Sequence, residues 1–267
     1  MSVQTLYTAA TGMSAMETKL DVIANNLANV KTTAFKSGRA NFEDLMYRHE
    51  KMPGLLDSAG QYTPTGISIG LGSRVSSVQG NFDQGALHVT TNELDVAIEG
   101  SGFFQVADPN GDTYYTRAGN FSKNANGDLV MGSANIGRLL QPPINIPTDA
   151  TKIAISAEGV VSVRQPNNNQ LSEVGQIELA SFVNAEGLLR LGENLFAETD
   201  ASGSPTLGNP GQDGLGLLQQ GALEESNVNP VEELISLITT QRAFELNSKA
   251  VQVGDEMMEV VVNLRRY

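Results

Sequence analysis

The sequence predicts an α+β protein in which long N- and C-terminal helices pair as a coiled coil. An all-β, sandwich- or barrel-like domain is inserted between them. Apolar residues recur with heptad spacing at both ends of the 267-residue chain. Between the ends lie a Gly/Pro-rich stretch and many short apolar runs separated by turn dipeptides. These patterns predict a terminal helical core (1–30 and 229–267), a short helix plus an extended arm (31–72), and an outer β domain (73–228).

The first predicted element is a helix over Val3 to Val30, whose a and d positions are small or apolar through four heptads. A helix of that length spans roughly 40 Å at 1.5 Å per residue. It needs a partner, because a lone amphipathic helix has nowhere to bury such a stripe. The predicted N-terminal assembly seam consists of Leu6, Ala9, Met13, Met16, Leu20, Ile23, Leu27 and Val30.

The last predicted element is a helix that begins with Asn229 as N-cap and Pro230 at the first helical position, and runs to Leu264. Arg265 and Arg266 follow, where positive charge complements a helix C-terminus. Either the two helices pack on one globular domain, or they form a coiled coil that also packs against other copies. Small seam residues favour the second interpretation, because they permit close approach. The predicted C-terminal seam consists of Leu237, Thr240, Phe244, Asn247, Val251, Gly254, Met258 and Val261.

The segment after the first helix has two parts of different composition. A short helix is predicted around Asn41 to His49, and Pro and Gly then interrupt every regular pattern from Met52 to Gly72. A flexible linker is one interpretation of this stretch. Its apolar content favours an extended arm that docks on a neighbouring surface. The arm residues singled out are Pro53, Leu55, Leu56, Tyr62, Ile67 and Ile69.

The middle of the chain predicts about ten or more short strands. Strand-like runs lie at 94–98, 103–106, 114–116, 160–163 and 176–179. Tight hairpin turns are predicted at Asn110-Gly111, Asn126-Gly127, Glu158-Gly159 and Glu186-Gly187. A surface loop is predicted from Ala201 to Gly216, where Gly, Ser, Asn and Pro dominate.

Composition excludes several classes of function. The chain has no Cys, so disulfides and thiolate metal sites are excluded, and its two histidines, His49 and His88, show no metal-ligand spacing. A formal net charge of −13 argues against nucleic acid as a partner. We predict no catalytic residue, no metal and no cofactor, and hence no enzyme. A glycosidase-like carboxylate pair stays open as an alternative, although a solvated acidic surface is the simpler interpretation.

Two segments carry a resemblance to a known family. Residues 24–36 read ANNLANVKTTAFK, and residues 225–234 and 240–249 read ESNVNPVEEL and TQRAFELNSK. With these motifs the chain resembles the axial rod and hook proteins of the bacterial flagellum, and it is most similar to the basal-body distal rod members. The N-terminal motif residues are Asn25, Asn26, Leu27, Asn29 and Phe35.

The resemblance implies a structural subunit that polymerises into a rigid helical tube, with its terminal helices lining an export channel. It implies a drive shaft that carries motor torque to the hook, spans the periplasm to the outer membrane, and leaves the cell by the flagellar type III route without a cleaved signal. The implied partners are other copies, proximal rod proteins, the hook protein, the peptidoglycan-ring and outer-membrane-ring proteins, and the export apparatus. The arm would stiffen the tube. A hook-type or proximal-rod member, or a surface β-domain binding module, is the alternative.

Overall fold

A computed structural model describes residues 3–54, 61–62, 64–132, 136–166 and 168–264. The α+β class is confirmed, with helices α1 (Val3–Ala28) and α2 (Pro230–Leu264) at the two ends of the chain. The described strands are β1 (Gly38–Asp44), β2 (Tyr47–Lys51), β3 (Ile67–Gly70), β4 (Ser73–Gly80), β5 (Leu87–Val89), β6 (Val96–Glu99), β7 (Phe103–Ala107), β8 (Thr113–Thr116), β9 (Phe121–Lys123), β10 (Leu129–Met131), β11 (Leu139–Gln141), β12 (Lys152–Ile155), β13 (Val160–Gln165), β14 (Asn168–Gln176), β15 (Leu179–Ser181), β16 (Leu189–Gly192), β17 (Leu195–Ala197), β18 (Thr206–Gly208), β19 (Leu217–Gln220) and β20 (Ala222–Glu224).

The chain divides into two compact units. The first, here called the helix–ribbon unit, comprises Met1–Ala28, Gly38–Gly80 and Asn229–Tyr267. The second, the β unit, comprises Asn29–Ser37 and Asn81–Val228. Strands β1 to β4 thus lie with the terminal helices, and the segment that follows α1 lies with the β unit.

Helices α1 and α2 lie antiparallel against each other in the helix–ribbon unit. A Cβ added to Gly12 would lie 3.0 Å from Asn247 Nδ2, and one added to Gly254 would lie 2.5 Å from Leu6 Cδ2. Glycine therefore permits the close approach near that end of the pair. Pairing as a coiled coil stays a prediction.

The N-cap predicted for α2 is present. The Asn229 side-chain oxygen accepts a hydrogen bond from the Val231 amide at 3.2 Å, and Pro230 occupies the first helical position. Arg265 and Arg266 lie outside the described residues. Helix α1 ends two residues earlier than predicted, because the chain turns at Asn29, whose carbonyl accepts the Thr32 amide.

The described strands between Gly38 and Gly80 form two antiparallel pairs, here called the ribbon. Strand β1 pairs with β4 and β2 pairs with β3. Between these pairs the Leu45 amide donates to Gly72 O, and the Leu71 amide donates to Met46 O. The short helix predicted around Asn41–His49 is therefore wrong. Hydrogen bonds to β4 and β3 stabilise this segment as strands, although its local sequence suggested a helix. Aromatic residues such as Phe42 and Tyr47 also favour strands. The end of the predicted arm, Ile67–Gly70, is strand β3, which pairs with β2 of its own chain. Docking of the arm on a neighbouring surface stays a prediction.

The β unit is built around a nine-stranded sheet that curls into a half-barrel. Its main order is β16-β17-β8-β7-β11-β10-β9. Strand β15 also pairs with β7, and β18 pairs with β15. A three-stranded sheet, β12-β13-β14, and the pairs β6–β19 and β5–β20 complete the unit. Its main core includes Phe104, Leu140, Ile146 and Ile177, all fully buried.

Most, but not all, of the local predictions for this unit agree with the structure. The turns at Asn110-Gly111, Asn126-Gly127 and Glu158-Gly159 each join two paired strands. The hairpin predicted at Glu186-Gly187 is wrong, because a 3-10 turn there joins β15 and β16, which do not pair. The run at 176–179 is divided between β14 and β15, and the predicted 201–216 loop contains β18.

Candidate assembly surface

Seven of the eight predicted N-terminal seam residues lie on the less exposed side of α1. Ile23 is buried, and the other six seam residues from Leu6 to Leu27 are half-buried. Val30 is an exception. It follows the end of α1 and belongs to the β unit, so its place on a helical seam is a prediction that the structure contradicts.

The predicted seam of α2 faces inward in the same way. Thr240 and Gly254 are buried, and the other five seam residues from Leu237 to Met258 are half-buried. The Val261 side chain lies outside the described side chains. Since Leu6 lies beside Gly254 and Gly12 beside Asn247, the two seams face each other within one chain. Their role in assembly stays a prediction.

A second apolar stripe on α2 lies on the opposite side of that helix. Leu234 and Ile235 are adjacent, and the other successive members are spaced three, four, seven or eight residues apart, so the set shares one broad helical face. Each is between 43% and 67% exposed, which leaves a largely apolar face of the helix uncovered. This outer stripe consists of Val231, Leu234, Ile235, Ile238, Leu246, Val253, Met257 and Val260.

The ribbon also exposes large apolar side chains. Tyr62 is 75% exposed, and Ile67, Ile69 and Pro53 of the predicted arm are exposed too. Met46, Tyr47 and Met52 extend this apolar surface along the ribbon. Leu55 and Leu56 lie outside the described residues, so the structure does not place those two members of the predicted arm.

Asn26 of the N-terminal motif ties three elements of the helix–ribbon unit together. It is buried, and its amide nitrogen donates to Gly38 O at 2.9 Å and to Glu233 Oε1 at 2.8 Å. Its side-chain oxygen accepts the Gly38 amide at 2.8 Å. One Asn therefore joins the end of α1 to the start of β1 and to the first turn of α2, a role no shorter or apolar residue could fill.

The remaining motif residues lie in two environments. Asn25 is exposed and Leu27 is half-buried, both near the end of α1. Asn29 and Phe35 belong to the β unit, where Asn29 Oδ1 accepts the Thr32 hydroxyl at 3.0 Å. Phe35 O accepts the Asn227 amide at 3.3 Å. The motif therefore has no single site, because its members build the turn on both sides of a unit boundary.

Lys36, directly after the motif, is part of a buried ion cluster in the β unit. Its ammonium donates to Glu224 Oε1 at 2.6 Å and to Asp83 O at 2.7 Å. The other oxygen of the fully buried Glu224 accepts Arg117 Nε at 2.9 Å. Burial, with Arg117 nearby, lowers the pKa of Lys36 from its ordinary 10.5, and Glu224 opposes this by favouring the charged form.

Two of these features were not predicted from the sequence. Helix α2 has apolar residues on two opposite faces, so no single polar face stands out in its sequence. The heptad repeat is the stronger pattern, and it identifies only the seam. The available signal was the run of Leu and Ile from 234 to 238, interrupted by Ser236. The ion cluster unites residues as far apart as 36 and 224, and nothing local in the sequence marks that pairing.

The described residues contain no cluster of three or more His, Asp or Glu side chains that could hold a metal. Nor does any helix in the part of the chain that the structure describes have the length and apolar character to cross a membrane.

Comparison with known proteins gives matches to three families. The family described as flagella basal body rod protein matches residues 6–36. The flagellar hook protein FlgE/F/G D1 domain matches residues 97–163, and the flagellar basal body rod FlgEFG protein C-terminal family matches residues 219–264.

Full-length relatives match as well. The flagellar basal-body rod protein FlgG of Agrobacterium fabrum is 48% identical over 257 residues, 96% of this chain and 97% of that protein. The protein of the same name from Caulobacter vibrioides is 45% identical over 98% of this chain and 99% of its own length. That from Bacillus subtilis is 38% identical over the same shares of the two chains.

Proposed function

The chain belongs to the FlgG family of flagellar basal-body rod proteins and is a structural subunit of the distal rod, not an enzyme; from that premise we propose that it polymerises into a rigid helical tube. Its terminal helices would line the central channel of that tube. The tube would act as the drive shaft that carries motor torque to the hook, and as part of the export path.

One observation carries the proposal of self-assembly. Among the described residues of the helix–ribbon unit, the buried hydrophobic residues are Ala15 and Ile23 alone. A stable unit of this size needs far more buried apolar surface to offset the conformational entropy of ordering it. Neighbouring copies must therefore supply the missing burial.

The outer stripe of α2 is the largest surface available for that burial. Covering a fully exposed aliphatic side chain stabilises by roughly 1.5–3 kcal/mol, so eight half-exposed ones contribute on the order of 6–12 kcal/mol. That gain adds to what a single subunit obtains from the two facing seams. The seams would hold the helices together, and the outer stripe would hold the subunits together.

The ribbon supports the proposal of stiffness. An isolated two-stranded ribbon is marginally stable in water, and this one exposes Met46, Tyr47, Met52 and Tyr62. Docked on a neighbouring subunit, it would cover those side chains and hinder sliding between subunits. We extend the proposal to the partners: proximal rod proteins, the hook protein, the two ring proteins and the export apparatus, along a path from periplasm to outer membrane after type III export.

Electron microscopy of concentrated purified protein tests this function. The wild type should form straight tubes, and Ile235→Asp with Ile238→Asp should abolish them while the urea-unfolding midpoint of the β unit in the monomer stays unchanged. Val183→Asp is the matched control, because Val183 is 95% exposed in the β unit and the change has the same chemistry. A wild type that stays monomeric at every concentration would refute the proposal.

A second variant tests the stiffness. Replacing residues 52–66 by Asn-Gly keeps strands β2 and β3 and joins them by a two-residue turn. Tubes of this variant should bend more than the parent tubes, measured as a shorter persistence length in the same images. Tubes as straight as the parent would show that the ribbon tip does not stiffen the rod.

A further inference from the structure

Helix α1 has one face that no element of its own chain covers. Its seam faces α2, and a second side faces the ribbon, where Gly72 approaches Thr11 and Gly38 approaches Val22. The third face is exposed along the whole helix and repeats every seven residues. It consists of Tyr7, Ala10, Ser14, Glu17, Asp21, Ala24 and Ala28.

The two uncovered helix faces are complementary in shape. The open face of α1 carries small residues such as Ala10, Ser14 and Ala24, which form a shallow groove between larger side chains. The outer stripe of α2 carries large aliphatic side chains instead. Large side chains on one helix fit between small ones on another, and they allow close packing of the two axes.

The two faces are also complementary in charge. The open face of α1 has Glu17 and Asp21 near its middle, one turn apart. Within the outer stripe of α2, Arg242 and Lys249 occupy the positions between Ile238, Leu246 and Val253. All four charged side chains are exposed, and none of them belongs to the ion pairs seen among the described residues.

We infer that the outer stripe of α2 in one subunit packs on the open face of α1 in a second copy. This inference rests on the proposed self-assembly and names the surfaces that perform it. Pairing of two outer α2 stripes would instead bring Arg242 and Lys249 of both copies together, which like-charge repulsion disfavours. Because the two surfaces differ, the contact is head-to-tail, and such a contact repeats into a helical filament unless its rotation closes a ring.

A charge exchange tests the inference. One variant carries Glu17→Lys and Asp21→Lys, and the other carries Arg242→Glu and Lys249→Glu. Each alone places like charges on both partners of the contact, so its critical concentration for tube formation should rise roughly tenfold or more. Mixed in equal amounts, the two variants regain opposite charges at every contact, and tubes should form near the wild-type concentration.

Circular dichroism of each variant at low concentration should match that of the wild-type monomer, which ensures that a loss of tubes is not a change in the structure of the monomer. Normal assembly of both variants, or failure of the mixture, would overturn the inference, while wild-type tubes would leave the proposed function intact. Assembly of a one-to-one mixture of wild type with the Arg242→Glu, Lys249→Glu variant at a lower concentration than wild type alone would overturn the inference. It would show that the α2 stripes pair with each other, because Arg and Lys of one copy would then face Glu of the other. Normal assembly of the Glu17→Lys, Asp21→Lys variant alone would show that the α2 stripe docks elsewhere, such as on the ribbon.

Discussion

The β unit and the helix–ribbon unit differ in how far they bury their apolar side chains. In the β unit, side chains as large as Phe104 and Leu140 are fully buried, and even the charged Lys36 and Glu224 find partners. In the helix–ribbon unit, the described residues bury few hydrophobic side chains and expose long apolar stripes. The first unit buries a core as a single copy, whereas we propose that other copies complete the second.

This difference fits the task of a subunit in a tube. A domain with its own core can fold after synthesis without a partner. A helical segment that lacks such a core gains its stabilising contacts only when subunits assemble. Ordering and burial then occur together, as in other segments that fold on binding. The two units should therefore respond differently to mutation, and the following predictions proceed from the largest expected effect to the smallest.

Glu224→Gln should give the largest effect, and it should be confined to the β unit. The change leaves Lys36 and Arg117 buried without their carboxylate, which costs about 3–5 kcal/mol of the free energy of unfolding. Urea denaturation of the monomer, followed by near-UV absorption of the tyrosines, measures this loss. Glu225→Gln is the control, because the neighbouring Glu225 is exposed. Equal midpoints for both variants would contradict the account.

Ile98→Ala and Ile238→Ala form a matched pair between the units. Ile98 is fully buried in the β unit, so its truncation should cost about 2–5 kcal/mol in the monomer. Ile238 is 50% exposed, so its truncation should cost less than about 0.5 kcal/mol in the monomer. Sedimentation should show the reverse order for assembly, with tubes weakened by Ile238→Ala. A destabilised Ile238→Ala monomer would show that the stripe is already covered.

Gly254→Leu tests the contact between the two seams. Its side chain would collide with Leu6 and should reduce the stability of the paired helices by about 1–3 kcal/mol. Ala250→Leu, on an exposed position of the same helix, adds a similar volume without the collision. In assembled tubes, thermal loss of helical circular dichroism should come earlier in the first variant alone. Identical transitions in both would mean that the seams do not meet.

Much of the fold follows from periodicity alone. Heptads spaced along α1 and α2 predict both helices to within two residues, and the dipeptide turns predict most hairpins of the β unit. The sequence does not predict the ribbon, because β1 pairs with β4, which lies more than thirty residues further along the chain. Both strands are largely exposed, so apolar and polar residues do not alternate regularly along them. The short helix around Asn41 failed for the same reason.

The candidate site was only half predictable. The seam residues were identified because a heptad repeat is local, but it marks the surface that one chain buries in itself. The surface left for neighbours depends on what remains uncovered after folding, which a single stretch of sequence does not contain. The role of Asn26 also needs the fold, since Gly38 and Glu233 reach it from different parts of the chain.

Amide hydrogen exchange before and after assembly tests the central claim most directly. In dilute monomer, the amides of residues 6–27 in α1 should exchange quickly, while those of β7 at 103–107 should be strongly protected. In tubes, the α1 amides should become as slow as those of β7, because neighbouring copies then cover the helices. Strong and unchanged protection of α1 in the dilute monomer would contradict the claim that other copies complete this unit.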